Sequence, residues 1–339
     1  MIDTTNPNFA IENLDLPTFR PPFWLKNPHL QTILPKFIPQ PIPDYKRELH
    51  FDSTKQVKVA YDFIHPNLNT KPNSPNRPLA VMFHGLEGSS NSHYAKTFAN
   101  TAQKLGWHAV VVHYRGCGGL KNSSELDYNA GDTTEIHHVF SVLHKQYPHI
   151  VAIGVSLGGN MLAKYMGEYG DDALCMGAVI VSAPVDLTTS ALAMHRFVAR
   201  HVYTPYLLKP LLLKAEEKIS EPDTLNALKT IKTLDKFDDL YTAPRNGYGT
   251  SENYYKNASA LPVLHKISKP TLIISAKDDP FLGKTATPSN ISPLVRLLYS
   301  KHGGHIGFLD FDKQQRRFDN TWLAKTVFRF FDHLTQSGR

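Results

Sequence analysis

Ile150-Val151-Ala152-Ile153-Gly154-Val155-Ser156-Leu157-Gly158-Gly159-Asn160 decides the fold. An apolar, β-branched run ends at a serine held between glycines, and a helical pattern begins within three residues of it. Gly154 to Gly158 read GxSxG, the pattern of a sharp turn from strand to helix. Such a turn forces the serine into a crowded backbone conformation, so side chains on the flanking positions would clash. It also presents the hydroxyl at the sheet's C-terminal edge, beside a helix N-terminus whose N–H groups and dipole stabilise negative charge. The pattern therefore predicts a nucleophile at Ser156. A Gly-Ser turn without chemistry is the alternative, and the strand before it and the helix after it count against that reading.

Outward from this turn the chain keeps one rhythm. Short apolar runs at 57–63, 79–83, 109–113, 150–155, 178–182, 271–275 and 295–299 alternate with helical patterns at 92–105, 132–147, 159–169 and 321–334. Near-continuous apolarity suits strands buried on both faces, so the expected class is α/β, a mostly parallel sheet flanked by helices. The rhythm breaks between 186 and 265, where Pro205, Pro210, Pro222, Pro244 and Pro262 interrupt helix-like stretches and no buried strand is evident. So long a departure between two sheet strands reads as a helical cap over one sheet edge. Residues 1–45, rich in proline, read as an irregular arm wrapping the core. The expected division is an arm at 1–45, a core at 46–185 and 266–339, and a cap at 186–265. The segment 66–78, rich in proline and asparagine, reads as a surface loop.

Composition narrows the function classes. At 339 residues and 41% hydrophobic side chains the chain can bury a large core. No apolar run is long enough to span a bilayer, and the polar, acidic start lacks a signal peptide's pattern, so a soluble cytoplasmic protein is expected. Cys117 and Cys175 are too few for a disulfide framework and lie in no metal-ligand spacing. Lys and Arg number 37 against 30 Asp and Glu, an excess of seven, but no basic run suggests nucleic acid. That excess is compatible with transient contact with an anionic membrane surface or with acidic substrates. The 17 histidines include no HExxH, and neither His137-His138 nor His302 with His305 has a convincing set of carboxylate or thiolate partners, so no metal is expected.

A nucleophilic serine needs an oxyanion site, a base and an acid. His84-Gly85-Leu86 follows the 79–83 strand, where a second oxyanion donor is expected, so the N–H groups of Leu86 and Leu157 are predicted to form the hole. His84 reads as a brace for that loop. The acid and the histidine should follow Ser156 in that order. Lys277-Asp278-Asp279-Pro280 begins the loop after the 271–275 strand, and Lys301-His302-Gly303-Gly304-His305 follows the next one. Both loops leave the sheet edge that presents Ser156. His305, after two glycines that let the backbone turn inward, is the expected base, with His302 as the alternative. Asp278 and Asp279 should point to opposite sides of extended chain. Pro280 restricts the residue before it, which favours Asp279 as the acid and leaves Asp278 to brace the loop.

These residues resemble one family. Asn27-Pro28-His29-Leu30-Gln31-Thr32, His84-Gly85-Leu86-Glu87-Gly88-Ser89, Tyr114-Arg115-Gly116-Cys117, Gly154 to Asn160 and His302-Gly303-Gly304-His305 look like the YheT-like branch of the α/β-hydrolases. The match extends to Phe237-Asp238-Asp239-Leu240 in the cap and to Asp278-Asp279-Pro280-Phe281, covering nearly the whole chain. The resemblance implies a carboxylesterase-type serine hydrolase with the α/β-hydrolase fold, related to eukaryotic proteins that act on lipids. It implies a small-molecule ester substrate, no cofactor, and the carboxylate just before Pro280 as the acid. Two other readings compete: acyl transfer to an acceptor other than water, and a hydrolase-shaped binding protein without activity.

Overall fold

A computed structural model describes residues 14–66 and 78–336. Most of the 66–78 loop, and residues 1–13 of the arm, lie outside the described residues. Eight strands form one sheet in the order β1-β2-β4-β3-β5-β6-β7-β8. They are β1 (Lys46–Phe51), β2 (Lys58–Ile64), β3 (Leu79–Phe83), β4 (His108–Val112), β5 (Ile150–Val155), β6 (Ala178–Val181), β7 (Thr271–Ala276) and β8 (Val295–Ser300). β1 and β2 pair antiparallel with their neighbours, and every pairing from β4 through β3 and β5 to β8 is parallel. The central strands β3, β5, β6 and β7 are buried at every position.

Helices cover both faces. A short α1 (Pro28–Ile33) lies in the arm, and α2 (His93–Lys104), α3 (Thr133–Leu143) and α4 (Leu157–Tyr169) connect the strands as crossovers. Between β6 and β7 the chain runs through α5 (Leu187–Ala193), α6 (Thr204–Glu216), α7 (Pro222–Thr230), α8 (Leu234–Phe237), α9 (Ala243–Arg245) and α10 (Ser251–Ala258). A π-helical turn, Ala199–Tyr203, leads into α6. After β8 come a hairpin of β9 (Asp310–Asp312) and β10 (Arg317–Asp319) and the closing α11 (Trp322–Gln336). One apolar cluster joins α3 and α4 to one sheet face; the other joins α2 and α11 to the opposite face, around Trp107, Phe328 and Phe331.

Among its described residues the arm holds a short helix, α1, within otherwise largely irregular chain. Asn27 caps α1, its side-chain oxygen accepting from the N–H groups of His29 and Leu30, and Pro28 occupies the first helical position. The buried Gln31 then bonds three times to backbone: its amide donates to the carbonyls of Leu25 and Leu309, and its oxygen accepts from Leu309 N–H. Arg115 is equally structural. It is buried and reaches Asp52, Asp132 and Glu135 at 2.5, 2.9 and 2.9 Å, fixing the β1–β2 turn to the start of α3.

Candidate active site

Ser156 sits between β5 and α4 with φ 53° and ψ −119°, a backbone that L-residues rarely adopt and that persists only where the surroundings enforce it. The two glycines permit it. A Cβ on Gly154 would collide with the backbone of Gly158 and Gly159, and one on Gly158 with the carbonyls of His84 and Phe83. Asn160, one turn into α4, is fully buried and satisfied: its amide donates to the carbonyls of Ala130 and Ala258, and its oxygen accepts from Ala260 N–H. It ties the helix behind the serine to the end of α10.

His305 Nε2 lies 2.9 Å from Ser156 Oγ. Its Nδ1 lies 2.9 and 3.1 Å from the two carboxylate oxygens of Asp279. A carboxylate only accepts, so Nδ1 carries the proton and Nε2 is left to accept from the serine. Burial pushes the Asp279 carboxyl above its usual range, while His305 and the Phe281 N–H pull it back. Asp278 turns the other way: it accepts from Gly304 N–H at 3.0 Å and lies 3.3 Å from His302 Nδ1. His302 therefore sits with Asp278, outside the line from Ser156 to Asp279.

The loop carrying His305 is tightly coiled, with positive φ at Gly304, Ile306 and Phe308. Two contacts that sequence reading did not assign hold it. Thr32, at the end of α1, accepts from the His305 N–H at 2.9 Å, and the Phe281 ring stacks on the imidazole at 4.1 Å between centroids. The arm motif Asn27 to Thr32 was visible in the sequence, but its partner lies 273 residues away. Removing the hydroxyl in Thr32→Val leaves a buried N–H without an acceptor. The expected loss in kcat is about 10- to 100-fold through misplacement of the ring, with Thr32→Ser retaining most activity. Equal kcat in the Val and Ser variants would show that this hydrogen bond does not position His305.

Leu86 lies on the loop after β3. The amides on either side of it are taken by tyrosine hydroxyls, Gly85 N–H by Tyr94 at 2.9 Å and Glu87 N–H by Tyr128 at 3.0 Å. A Cβ on Gly85 would lie 3.2 Å from Ser156 Cβ, so this loop runs against the serine. Leu157 is the first residue of α4, where N–H groups have no partner within the helix. His84 is buried; burial holds its imidazole down to about 3, and its Nδ1 donates to Gly85 O at 2.7 Å. It is a neutral brace.

Above Ser156 opens a cavity of about 1190 Å³, larger than most small-ligand pockets. Leu207, Leu211, Met194 and Phe237 give it apolar wall. The leucine-rich stretch of α6 divides by position: Leu207 and Leu211 line the cavity, Leu208 is buried among the helices, and Leu213 faces out. Lys214 spans from α6 to the loop after β3, 2.5 Å from Glu87. Among the described residues no group of three or more His, Cys, Asp or Glu side chains is placed to hold a metal ion, and no helix is long and apolar enough to cross a membrane.

A family profile described as "alpha/beta hydrolase fold" matches residues 78–312. The YheT protein of Escherichia coli (strain K12) is 37% identical over 319 residues, covering 91% of each chain. In Saccharomyces cerevisiae, a protein named monoacylglycerol lipase is 31% identical over 83% of this chain and 66% of its own length. From the same yeast, medium-chain fatty acid ethyl ester synthase/esterase 2 is 29% identical over 75% of this chain and 62% of its own length.

Proposed function

The chain belongs to the α/β-hydrolase family, in its YheT-like branch, and from that premise we propose that it cleaves carboxylic esters through an acyl-enzyme on Ser156. The observation that carries the reading is the unbroken hydrogen-bonded line from Ser156 Oγ through His305 to Asp279. His305 Nε2 takes the hydroxyl proton as Oγ attacks the ester carbonyl, then returns it to the leaving alcohol. Water attacks the acyl-enzyme in the second half, with His305 again as base. Asp279 holds the tautomer and stabilises the imidazolium. The N–H groups of Leu86 and Leu157 receive the negative oxygen.

The helical segment 186–265 acts as the cap of this site and the arm at 1–45 as its support, with 46–185 and 266–339 as the core. We place the protein in the cytoplasm, where the free, buried thiols of Cys117 and Cys175 stay reduced. The apolar wall supplied by α6 and Phe237 suits short- to medium-chain acyl groups. Each methylene buried there contributes up to about 0.8 kcal/mol, so kcat/KM should climb from p-nitrophenyl acetate to the octanoate. A flat series would remove the acyl-binding role from this wall. The relation to a yeast synthase/esterase favours a second reading, acyl transfer to an alcohol. Product analysis with ethanol present separates the two, since transfer gives the ethyl ester and hydrolysis the free acid.

A further inference from the structure

Basic residues are spread along the chain, but acidic ones are not. Residues 16–43 and 187–215 contain no Asp or Glu, and carry three and four Lys or Arg respectively. Those seven equal the whole excess of 37 Lys and Arg over 30 Asp and Glu, so the rest of the chain is balanced. The two segments, far apart in sequence, meet in space. Tyr203 Oη lies 2.8 Å from His29 Nδ1, Lys36 Nζ lies 3.8 Å over the Tyr206 ring, and Ile33 packs with Met194, Ala199 and Tyr203. Together they frame the cavity, to which Phe37 and Lys36 contribute from one side and Val202, Tyr206 and Lys209 from the other.

The same rim exposes large apolar side chains. Phe37 is 76% exposed, Tyr206 64% and Leu213 55%, and spacing of three and four residues puts Tyr206, Lys209 and Leu213 on one outward row of α6. On these two segments apolar side chains interleave with cations and no acids, while the acids that line the cavity, Glu87, Asp127, Glu217 and Asp238, come from other stretches of chain. Such a pair of segments matches a surface that is apolar beneath and anionic on top. A second copy of the chain would set positive against positive.

We propose that the rim formed by 16–43 and 187–215 docks on anionic lipid bilayers, so that the cavity opens onto the membrane surface. Docking gives the proposed esterase its route to lipid-like esters and rests on that reading for its purpose.

The test is sedimentation of the full-length Ser156→Ala protein with sucrose-loaded vesicles of phosphatidylcholine alone or with 30% phosphatidylglycerol. Binding is expected to the anionic vesicles and to weaken steeply with salt. K36E/K209E should lower the partition coefficient at least about tenfold. Y206S/L213S should lower it as well, and gives an independent reading should the charge reversal fail to fold. K104E/K145E makes the same charge change at the ends of α2 and α3, on the opposite sheet edge, and should bind as the parent does. Absence of binding, binding that ignores both rim variants, or dimerisation through the rim in place of binding would overturn the proposal. Fluorophosphonate labelling of the wild-type protein keeps the two readings apart: labelling without vesicle binding defeats docking alone, and vesicle binding without labelling defeats the esterase reading alone.

Discussion

Replacement of Ser156 by alanine is expected to lower kcat for p-nitrophenyl esters about 10³-fold or more, with the fold unchanged. The size follows from the proposed chemistry, in which the substitution removes the atom that forms the acyl-enzyme. The proposed oxyanion donors and the cavity remain, and on this reading they supply whatever residual rate is seen. Alanine keeps the Cβ that meets the positive φ of Ser156, so the backbone strain is the same in both proteins. Thermal melting should therefore show a Tm close to that of the parent. A variant with esterase activity near the parent's would mean that the ester is cleaved elsewhere.

The second large effect separates two neighbours. Asp279→Asn is expected to lose about 10⁴-fold in kcat, because an amide can donate to Nδ1 and so favours the histidine tautomer that cannot accept from Ser156. Asp278→Asn should lose little, because Asp278 bonds to the Gly304 N–H and lies beside His302. The opposite pattern would exchange their roles, and two active variants would leave Ser156 without a triad.

How far the sequence carried these conclusions depended on the range of each signal. Ser156 and its two glycines are local, and the steric reason for each glycine is confirmed by the backbone atoms a Cβ would strike. The buried strands were legible because they are apolar on both faces. β1 was not, since Lys46-Arg47-Glu48-Leu49-His50-Phe51 lies at the sheet edge and is largely exposed. β9 and β10, three residues each, carry no periodicity to read.

The helix start at Asn27-Pro28 was readable, as a capping residue followed by proline, yet proline richness suggested irregular chain. What no local pattern revealed is the use of that helix. Thr32 and Gln31 act on a loop some 270 residues later, and positive φ at Ile306 and Phe308 has no sequence signature in residues of those types. Arg115 had its motif recognised but not its role, because Asp52, Asp132 and Glu135 come from three separate stretches of chain.

The most direct measurement of the central claim is covalent capture of the nucleophile. Purified protein treated with a fluorophosphonate, digested and mapped by mass spectrometry is expected to carry one adduct, on Ser156, and Ser156→Ala is expected to carry none. An adduct on another residue, labelling that survives in Ser156→Ala, or no adduct on the wild-type protein would contradict it.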